Sequence, residues 1–266
     1  ENLGLDPSVV PLSDDVKRRF LVKDGALQGV AAHPLGFFTS SYLSPAARLR
    51  MLLEPLISKG SPDTAESVEA WFSRRFGGEF ARRVMDPLVG GLYAGRADEL
   101  SLQSVFPRLL DMERQHGSII RAALSHRLRG GVMPGKRLYS WTEGIGTLPT
   151  ALSTGLTDCI HTGVTVRRIT GQQGGYQIDT AGHGRIATRS ILIATQPHVA
   201  TAFLENVAPD GAEAIAAIDA PPLAVVFLGY RRADVDHPMD GLGYLSPRCE
   251  NRALTGAQFP SSMFAG

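Results

Sequence analysis

The feature of this sequence that most constrains its fold is a glycine-rich stretch at residues 86–107, which reads DPLVGGLYAGRADELSLQSVFP. Gly90, Gly91 and Gly95 flank an apolar group of side chains within it. Glycines spaced this closely remove Cβ atoms where the backbone passes near another segment or takes a positive φ. From the residues alone, the stretch predicts a tight connection between two helices, because glycine is common at such breaks. A preceding helix over about 79–85 is then expected to end at Asp86-Pro87.

The composition excludes several classes of protein. A chain of 266 residues can bury a sizeable core and is expected to form one or two domains. Its 27 Lys and Arg balance 26 Asp and Glu, which argues against nucleic acid as the main partner. Two distant cysteines, Cys159 and Cys249, predict neither a disulfide scaffold nor a metal cluster and fit a reducing compartment. No apolar run approaches the roughly 20 residues that span a bilayer.

Strand patterns occur at both ends of the chain and in its middle. Asp24-Gly25 lies between two apolar runs and predicts a hairpin of residues 20–22 and 26–30. Residues 160–195 contain short β-type runs separated by glycines, which predicts a β-meander, with 191–195 as a buried parallel strand. Residues 223–230 are apolar on both alternating faces, which predicts an interior strand. Residues 244–245 and 257–259 are expected to join it in one antiparallel sheet.

Helical patterns dominate residues 46–129. Over 46–57, one stripe of four leucines admits two interpretations, a core-facing helix or a surface that rests on a membrane with basic groups toward acidic headgroups. The stripe consists of Leu49, Leu52, Leu53 and Leu56. Asp63 and Glu66 can form a capping box before the next helix.

A second apolar stripe follows that capping box and is predicted to face the core. It consists of Val68, Trp71, Phe72 and Phe76. Further helix is expected over 101–129, where the charged side chains are most simply a solvated face. They are Arg108, Asp111, Glu113, Arg114 and Arg121.

The glycine-rich stretch resembles the protoporphyrinogen oxidase family of flavoenzymes, in the form D-P-[LF]-[VC]-x-G-x-x-[AG]-G-x-x-x-x-L-S-[LM]-x-x-x-F-P. Further blocks of the chain resemble the same family, in its order and near its spacing. They are RRFL at 18–21 with Gly25, MLLEPL at 51–56, GSII at 117–120, PLAVV at 222–226, PMDGLG at 238–243 and FPSSMF at 259–264. The resemblance therefore covers almost the whole chain.

The resemblance implies a mixed α/β (α+β) fold of the FAD-linked, amine-oxidase-like type with two dinucleotide-binding domains. Residues 1–30 would begin the substrate-binding region, and 31–130 would form a helical membrane-binding lobe. Residues 131–205 would belong to the FAD-binding domain, and 206–266 to an antiparallel substrate-binding sheet. The family's N-terminal G-x-G-x-x-G turn is not found after any strand pattern in this sequence. We therefore expect the chain to be an internal fragment of a longer enzyme.

The function implied by the resemblance is oxidation of protoporphyrinogen IX to protoporphyrin IX, with FAD as cofactor and molecular oxygen as the final oxidant. The implied partners are the tetrapyrrole and the surface of a membrane, and a homodimer is possible within the family. Localisation would be cytoplasmic and peripheral to the inner membrane, or at the mitochondrial inner membrane in a eukaryote. Two alternatives stay open: a coproporphyrinogen III oxidase of the same family, and an inactive fragment that only binds a membrane or a partner.

The same resemblance assigns roles to individual residues, while no acid–base catalytic pair or metal-binding spacing of histidines is evident. Arg19 would grip a propionate of the tetrapyrrole, as a guanidinium can bind a carboxylate with two parallel hydrogen bonds. The remaining substrate-binding candidates would line the macrocycle: Ala94, Gly95, Leu223, Met239 and Phe259. The cofactor-binding candidates are Val166, Ala194 and Thr195.

Overall fold

The structure is a computed structural model that describes residues 3–31, 40–61, 64–128 and 138–264. The chain divides into two compact units, one of Leu3–Ile145 with Phe227–Gly266 and one of Gly146–Val226. We call them the first and the second unit. The mixed α/β class is confirmed, whereas the four predicted regions are finer than these two units and stay a prediction. Asp63 lies outside the described residues, but the predicted Asp63–Glu66 capping box is wrong, because the helix begins after Ser67, whose hydroxyl accepts the Ala70 N–H at 3.2 Å as the N-cap, while Glu66 binds Arg74.

Nine strands are described. In chain order they are β1 Val9–Pro11, β2 Arg18–Lys23, β3 Ala26–Ala31, β4 Tyr139–Trp141, β5 Thr165–Gln172, β6 Gly175–Ala181, β7 Arg185–Thr188, β8 Gly241–Leu245 and β9 Gly256–Gln258. The α-helices are α1 Pro45–Leu52, α2 Val68–Phe76, α3 Gly78–Phe80, α4 Asp86–Tyr93, α5 Leu102–Val105, α6 Pro107–His116, α7 Ile119–Leu128, α8 Thr147–Thr154, α9 Pro197–Leu204, α10 Pro209–Ala216 and α11 Pro260–Met263.

The first unit contains a four-stranded sheet in the order β3-β2-β8-β9. Neighbouring strands are antiparallel except β2 and β8, which are parallel. The predicted hairpin is confirmed as β2 and β3, and both turn residues have positive φ, 51° at Asp24 and 80° at Gly25. Two positive φ values match the twist of the flanking strands, which is why Asp-Gly suits a two-residue hairpin loop. β1 pairs separately with β4.

The predicted core stripe of the helical part is confirmed. Val68 and Trp71 are fully buried, and Phe72 is almost fully buried on the same face of α2. Tyr42, Leu43, Val89 and Leu102 pack into the same core. Burying each large apolar side chain contributes about 1.5–3 kcal/mol, so this cluster supplies a large part of the stability of the first unit.

The prediction that a helix ends at Asp86-Pro87 is wrong. A π-helical turn at Ala81–Met85 runs directly into α4, which begins at Asp86 and continues to Tyr93. A proline is tolerated in the first turn of a helix, where its missing N–H would have no intrahelical partner. The glycine-rich stretch is therefore a helix in its first half and leaves the helix only at Ala94, which has φ 52°.

The core-facing interpretation of the leucine stripe is also wrong. Ala47 and Met51 are the buried residues of α1, and the four leucines are exposed by 43–76 %. The helix is also shorter than predicted, because a separate 3₁₀ turn forms over Glu54–Leu56. The periodicity identified the apolar face correctly but could not indicate what covers it. Among the described helices, none is long and apolar enough to cross a membrane.

The second unit contains the antiparallel sheet β5-β6-β7, which confirms the predicted meander. The predicted strand at 191–195 is wrong, since these residues are irregular and Leu192 is 93 % exposed. The predicted interior strand at 223–230 is wrong for the same reason. Its residues are not hydrogen-bonded into any described strand, and Phe227 is 88 % exposed. An interior strand needs hydrogen-bonded neighbours on both edges, and no described strand pairs with either segment.

Candidate functional site

Three of the predicted substrate-binding residues converge at one end of the first unit's sheet. The first residue of β2, Arg18, pairs with the first residue of the parallel strand β8, Gly241, so both strands begin at the same end. β9 runs antiparallel to β8 and therefore finishes at that end, where the Phe259 N–H donates to the Leu242 carbonyl at 3.0 Å. Arg19 lies in β2, Met239 precedes β8, and Phe259 follows β9. We call this end of the sheet the convergent end.

Aromatic side chains join these strands at the convergent end. The ring of His237 makes an edge-on contact with Phe20, with ring centroids 5.0 Å apart, and lies 5.9 Å from the ring of Phe259. Phe20 is buried, whereas Phe259 and Met239 are half-buried. A half-buried apolar side chain at the edge of a core keeps one face available for a flat apolar ligand.

Neighbouring arginines differ in their availability for a ligand. Arg18 Nε lies 3.4 Å from Asp240 Oδ2, and Asp240 also accepts the backbone N–H of Arg18 through its carbonyl oxygen. Arg19 is exposed, and its side chain makes no ion pair with any residue that the structure describes. Arg19 is thus the arginine of β2 that is free to bind an added carboxylate.

Helix α4 brings the glycine-rich stretch alongside β8. Asp86 at its start accepts a hydrogen bond of 2.6 Å from Arg248 Nε, beyond the end of β8. A Cβ on Gly91 would lie 2.7 Å from Leu245 Cδ2, so the glycine permits the close approach. Ala94 and Gly95 follow this helix, and Asp98 shortly after them accepts a hydrogen bond of 3.1 Å from Arg248 Nη2. Their contact with the substrate stays a prediction.

The other predicted site residues belong to the second unit. Leu223 is 72 % exposed, and Ala194 and Thr195 are exposed in an irregular segment. Val166 is half-buried in β5, next to an irregularity in the pairing of β5 with β6. The substrate role of Leu223 and the cofactor roles of Val166, Ala194 and Thr195 stay predictions.

The positions of the glycines in the second unit indicate whether it contains a turn that can bind the pyrophosphate of a dinucleotide. Gly174 and Gly182 occupy positive-φ positions in turns between antiparallel strands, at 81° and 84°. A dinucleotide pyrophosphate is held instead by a glycine-rich turn between a parallel strand and a helix N-terminus. The described residues of this unit contain no such turn. They therefore do not fit the pyrophosphate of FAD.

Sequence reasoning missed a buried network of charges in the helical part of the first unit. Arg75 and Glu54 are fully buried, and Arg75 bonds both Glu54 Oε1 at 3.1 Å and Glu113. Glu54 also accepts the Ser118 hydroxyl and the Ile119 N–H. One feature of the sequence could have indicated this network. Arg75 follows Trp71 by four residues, which places it on the core face of α2 and predicts that its charge is buried. Glu113 was wrongly assigned to a solvated face.

The pKa of Glu113 shows the strength of this network. Burial raises the pKa of this carboxyl group, but hydrogen bonds from Arg74, the Gly60 N–H, Trp71 and Arg75 outweigh it and lower the pKa to about 2. Glu113 is therefore ionised at neutral pH and committed to its partners. The network holds α2, α6 and the Glu54–Leu56 turn together and leaves no titratable group free for chemistry.

Relatives of the chain share one name. The chain is 32 % identical over 287 residues to a protoporphyrinogen oxidase from Homo sapiens and 31 % identical over 286 residues to one from Bos taurus, covering 98 % of this chain and 58 % of each relative. A mitochondrial protoporphyrinogen oxidase from Nicotiana tabacum is 26 % identical over 99 % of the chain and 59 % of the relative. The chain thus spans somewhat more than half the length of the curated relatives it matches.

Solved structures support the same fold. A crystal structure from Exiguobacterium, provisionally described as a protoporphyrinogen oxidase, superposes with a TM-score of 0.71 at 16 % identity, over 99 % of this chain and 58 % of that one. An oxidoreductase from Methanosarcina mazei superposes with a TM-score of 0.56 at 16 % identity, over 96 % of this chain and 56 % of that one. At such identities the likeness concerns the fold alone.

A family model described as flavin containing amine oxidoreductase matches residues 1–266, the whole of the sequence. The predicted flavoprotein fold and the predicted flavin cofactor, FAD, are thereby confirmed at the level of the family. On this evidence the chain belongs to the flavin containing amine oxidoreductase family.

Proposed function

We propose that this chain is the tetrapyrrole-binding part of an FAD-dependent enzyme that oxidises protoporphyrinogen IX to protoporphyrin IX with molecular oxygen. The observation that carries the proposal is the convergence of Arg19, Met239 and Phe259 at one end of a sheet. Relatives named protoporphyrinogen oxidase across 98 % of the chain support it. When bound, FAD accepts the electrons, and the chain's own residues bind and orient the substrate.

Each residue has a distinct task in this proposal. The Arg19 guanidinium binds a propionate of the macrocycle, because it is exposed and has no partner among the described residues. Met239 and Phe259 contact the apolar faces of the rings. Ala94 and Gly95 bring backbone against the macrocycle edge. For Leu223 the proposal keeps only the apolar contact with the substrate that the family resemblance implies. The proposal gives Val166, Ala194 and Thr195 contacts with FAD.

Replacing Arg19 by alanine is expected to weaken binding of protoporphyrin IX, the stable oxidised product, about tenfold. A charge-assisted hydrogen-bonded pair contributes about 1.5–3 kcal/mol, and about 1.4 kcal/mol corresponds to a factor of ten. Porphyrin fluorescence titration of the chain measures the dissociation constant. The dimethyl ester of the same porphyrin lacks the carboxylates and should bind the wild type and the variant equally.

Two control variants distinguish a specific bond between Arg19 and a propionate from a general effect of removing positive charge. Arg19→Lys keeps the charge but loses the bidentate geometry and should bind with intermediate affinity. Arg168→Ala removes an exposed strand arginine of the second unit and should change nothing. Equal affinity of wild type and Arg19→Ala for the diacid would reject the anchor. Tighter binding of coproporphyrin III would favour the coproporphyrinogen alternative, and no binding of any porphyrin would favour the inactive fragment.

We also propose that the exposed leucine stripe of α1 rests on a membrane, peripheral to the inner membrane of the cell or of the mitochondrion. Leu49, Leu52 and Leu56 are 56–76 % exposed, and Leu124 and Leu128 of α7 are also exposed. Helix α7 packs against the 3₁₀ turn that carries Leu56. Exposed apolar surface of this kind is typical of interaction sites.

The double variant Leu52→Glu/Leu56→Glu is therefore expected to lower the partition coefficient of the chain onto anionic phospholipid vesicles, measured by co-sedimentation, at least about a hundredfold. Each change removes an apolar group of about 1.5–3 kcal/mol and adds a charge repelled by the lipid. Leu192→Glu, at a 93 % exposed leucine of the second unit, is the matched control and should sediment like wild type. A wild-type chain that stays in the supernatant at both low and high salt would refute membrane binding.

A further inference from the structure

Met239 has a backbone conformation that is unusual for its residue type. Its φ is 57°, in the left-handed region, which side chains with a Cβ rarely occupy outside turns. Such a conformation costs about 1–3 kcal/mol and persists where the surrounding structure over-determines it. Met239 is also the residue that the proposed function places against the macrocycle. The contacts that hold it therefore decide where its side chain points.

The side chain of His237 holds this turn. The Met239 N–H donates to His237 Nδ1 at 3.0 Å, a side-chain acceptor closing a turn two residues ahead of itself. Asn and Asp side chains close turns with the same spacing. The imidazole is fixed in turn by its contacts with the rings of Phe20 and Phe259. One side chain thus contacts β2, the Met239 turn and the residue after β9.

Backbone groups on both sides of the turn are also held. Arg232 donates from Nη1 to the Val235 carbonyl at 2.6 Å and from Nη2 to the His237 carbonyl at 3.0 Å. After the turn, the Asp240 carbonyl accepts the N–H groups of Lys17 and Arg18, at 3.1 Å and 3.3 Å. Because both flanks are fixed, the conformation of Met239 depends on the bond between them, which is the bond to His237.

We infer that His237 is a positioning residue of the tetrapyrrole site: its Nδ1 acceptor keeps Met239 in the left-handed conformation that presents the methionine side chain at the convergent end. This inference rests on the proposed function for the identity of the ligand. The turn itself does not depend on the proposed function, because it is defined by the hydrogen bond and the ring contacts of His237. Positioning here means that His237 acts through Met239 and need not touch the macrocycle.

Two substitutions at His237 separate its acceptor from its ring. His237→Phe keeps an aromatic ring against Phe20 and Phe259 but has no acceptor. His237→Asn loses the ring but places an acceptor oxygen at the position of Nδ1. Amide hydrogen exchange followed by mass spectrometry reports on a peptide covering residues 237–243. We expect exchange at Met239 to be at least about tenfold faster in His237→Phe and close to wild type in His237→Asn, because exchange follows the opening of the hydrogen bond.

Peptides from β5 and β6 in the second unit are the internal control and should exchange at the same rate in all three proteins. Protection of Met239 that is unchanged in His237→Phe would overturn the assignment of the acceptor. So would an equal loss of protection in both variants, since the ring would then be the cause.

Binding of protoporphyrin IX tests the second half of the inference. His237→Phe is expected to raise the dissociation constant about tenfold, and His237→Asn to raise it by no more than about threefold. If the wild type binds and His237→Phe binds equally well despite faster exchange, the turn does not position Met239 for the ligand. If the wild type does not bind any porphyrin while the exchange pattern is as expected, the proposed function fails and the assignment of the turn stands.

Discussion

Replacement of Arg75 by methionine is expected to lower the free energy of unfolding by about 3–5 kcal/mol, because it leaves two buried carboxylates without their shared cation. Arg75 is fully buried and bonds Glu54, Glu113 and the carbonyls of Ile57 and Gly117. Methionine has a similar length and fills much of the space, so the loss is electrostatic rather than a cavity. Denaturant unfolding of both proteins measures this difference in free energy. The comparison holds when the dependence of that free energy on denaturant concentration, the m-value, is the same in both.

Two further variants establish the cause of this loss. Arg96→Met removes an arginine whose ion pairs with Asp98 and Glu99 are exposed, and its stability should stay near that of wild type. Adding Glu54→Gln to Arg75→Met removes the carboxylate that is left without a cation and should recover part of the lost stability, whereas Glu113 still pairs with Arg74. An Arg75→Met protein as stable as the Arg96→Met protein would show that the buried network contributes little.

Replacement of Gly243 by alanine is expected to disrupt the pairing of β8 with β9. Gly243 has φ 136°, and a Cβ there would lie 2.8 Å from Gln258 Cα and closer still to the Ala257 carbonyl oxygen. Both obstacles are backbone, so the strands must move apart. Overpacking costs about 1–3 kcal/mol and an unfavourable φ a further 1–3 kcal/mol or so. The melting temperature should fall, and affinity for protoporphyrin IX should fall with it because Phe259 directly follows β9.

Gly171→Ala in β5 is the matched control, since its added Cβ meets no atom within 4 Å. Its stability and porphyrin affinity should be close to those of wild type. Retention of wild-type porphyrin affinity by a destabilised Gly243→Ala protein would separate Phe259 from the binding site. An unchanged melting temperature would show that the two strands can move apart at no cost.

Local patterns predicted the elements whose cause is local. The Asp24-Gly25 hairpin forms because both turn residues readily adopt positive φ. The Val68–Phe76 helix begins at Ser67, whose side chain caps it, and its apolar residues recur at helical spacing. The family blocks likewise identified the flavoenzyme family, which the match over the whole chain confirms. The same resemblance is the source of the predicted substrate residues. It did not indicate that Arg19, Met239 and Phe259 lie at one end of a single sheet.

Other predictions failed where the outcome depends on distant residues. Residues 223–230 are apolar on both faces, yet no described strand pairs with them. The leucines of α1 repeat at helical spacing, yet they face outward while Met51 and Glu54 are buried. The spacing of apolar residues shows which face of a helix or strand would be more stable away from water. It does not indicate which other segment of the chain, if any, covers that face. The π-helical turn before Pro87 was missed because its backbone geometry has no marker in the residues.

The sequence by itself determined the family, the hairpin, the meander and the buried face of the Val68–Phe76 helix, since these follow from motifs, backbone preference and side-chain chemistry along the chain. Only the tertiary structure decided that Arg75 joins Glu54 and Glu113 in the core, and that His237 closes the Met239 turn beside Phe20 and Phe259. These groups are distant in sequence or unremarkable in type. The ion pairs of Arg75 exist only once the helices have packed, and the ring contacts of His237 with Phe20 and Phe259 exist only once the strands have paired.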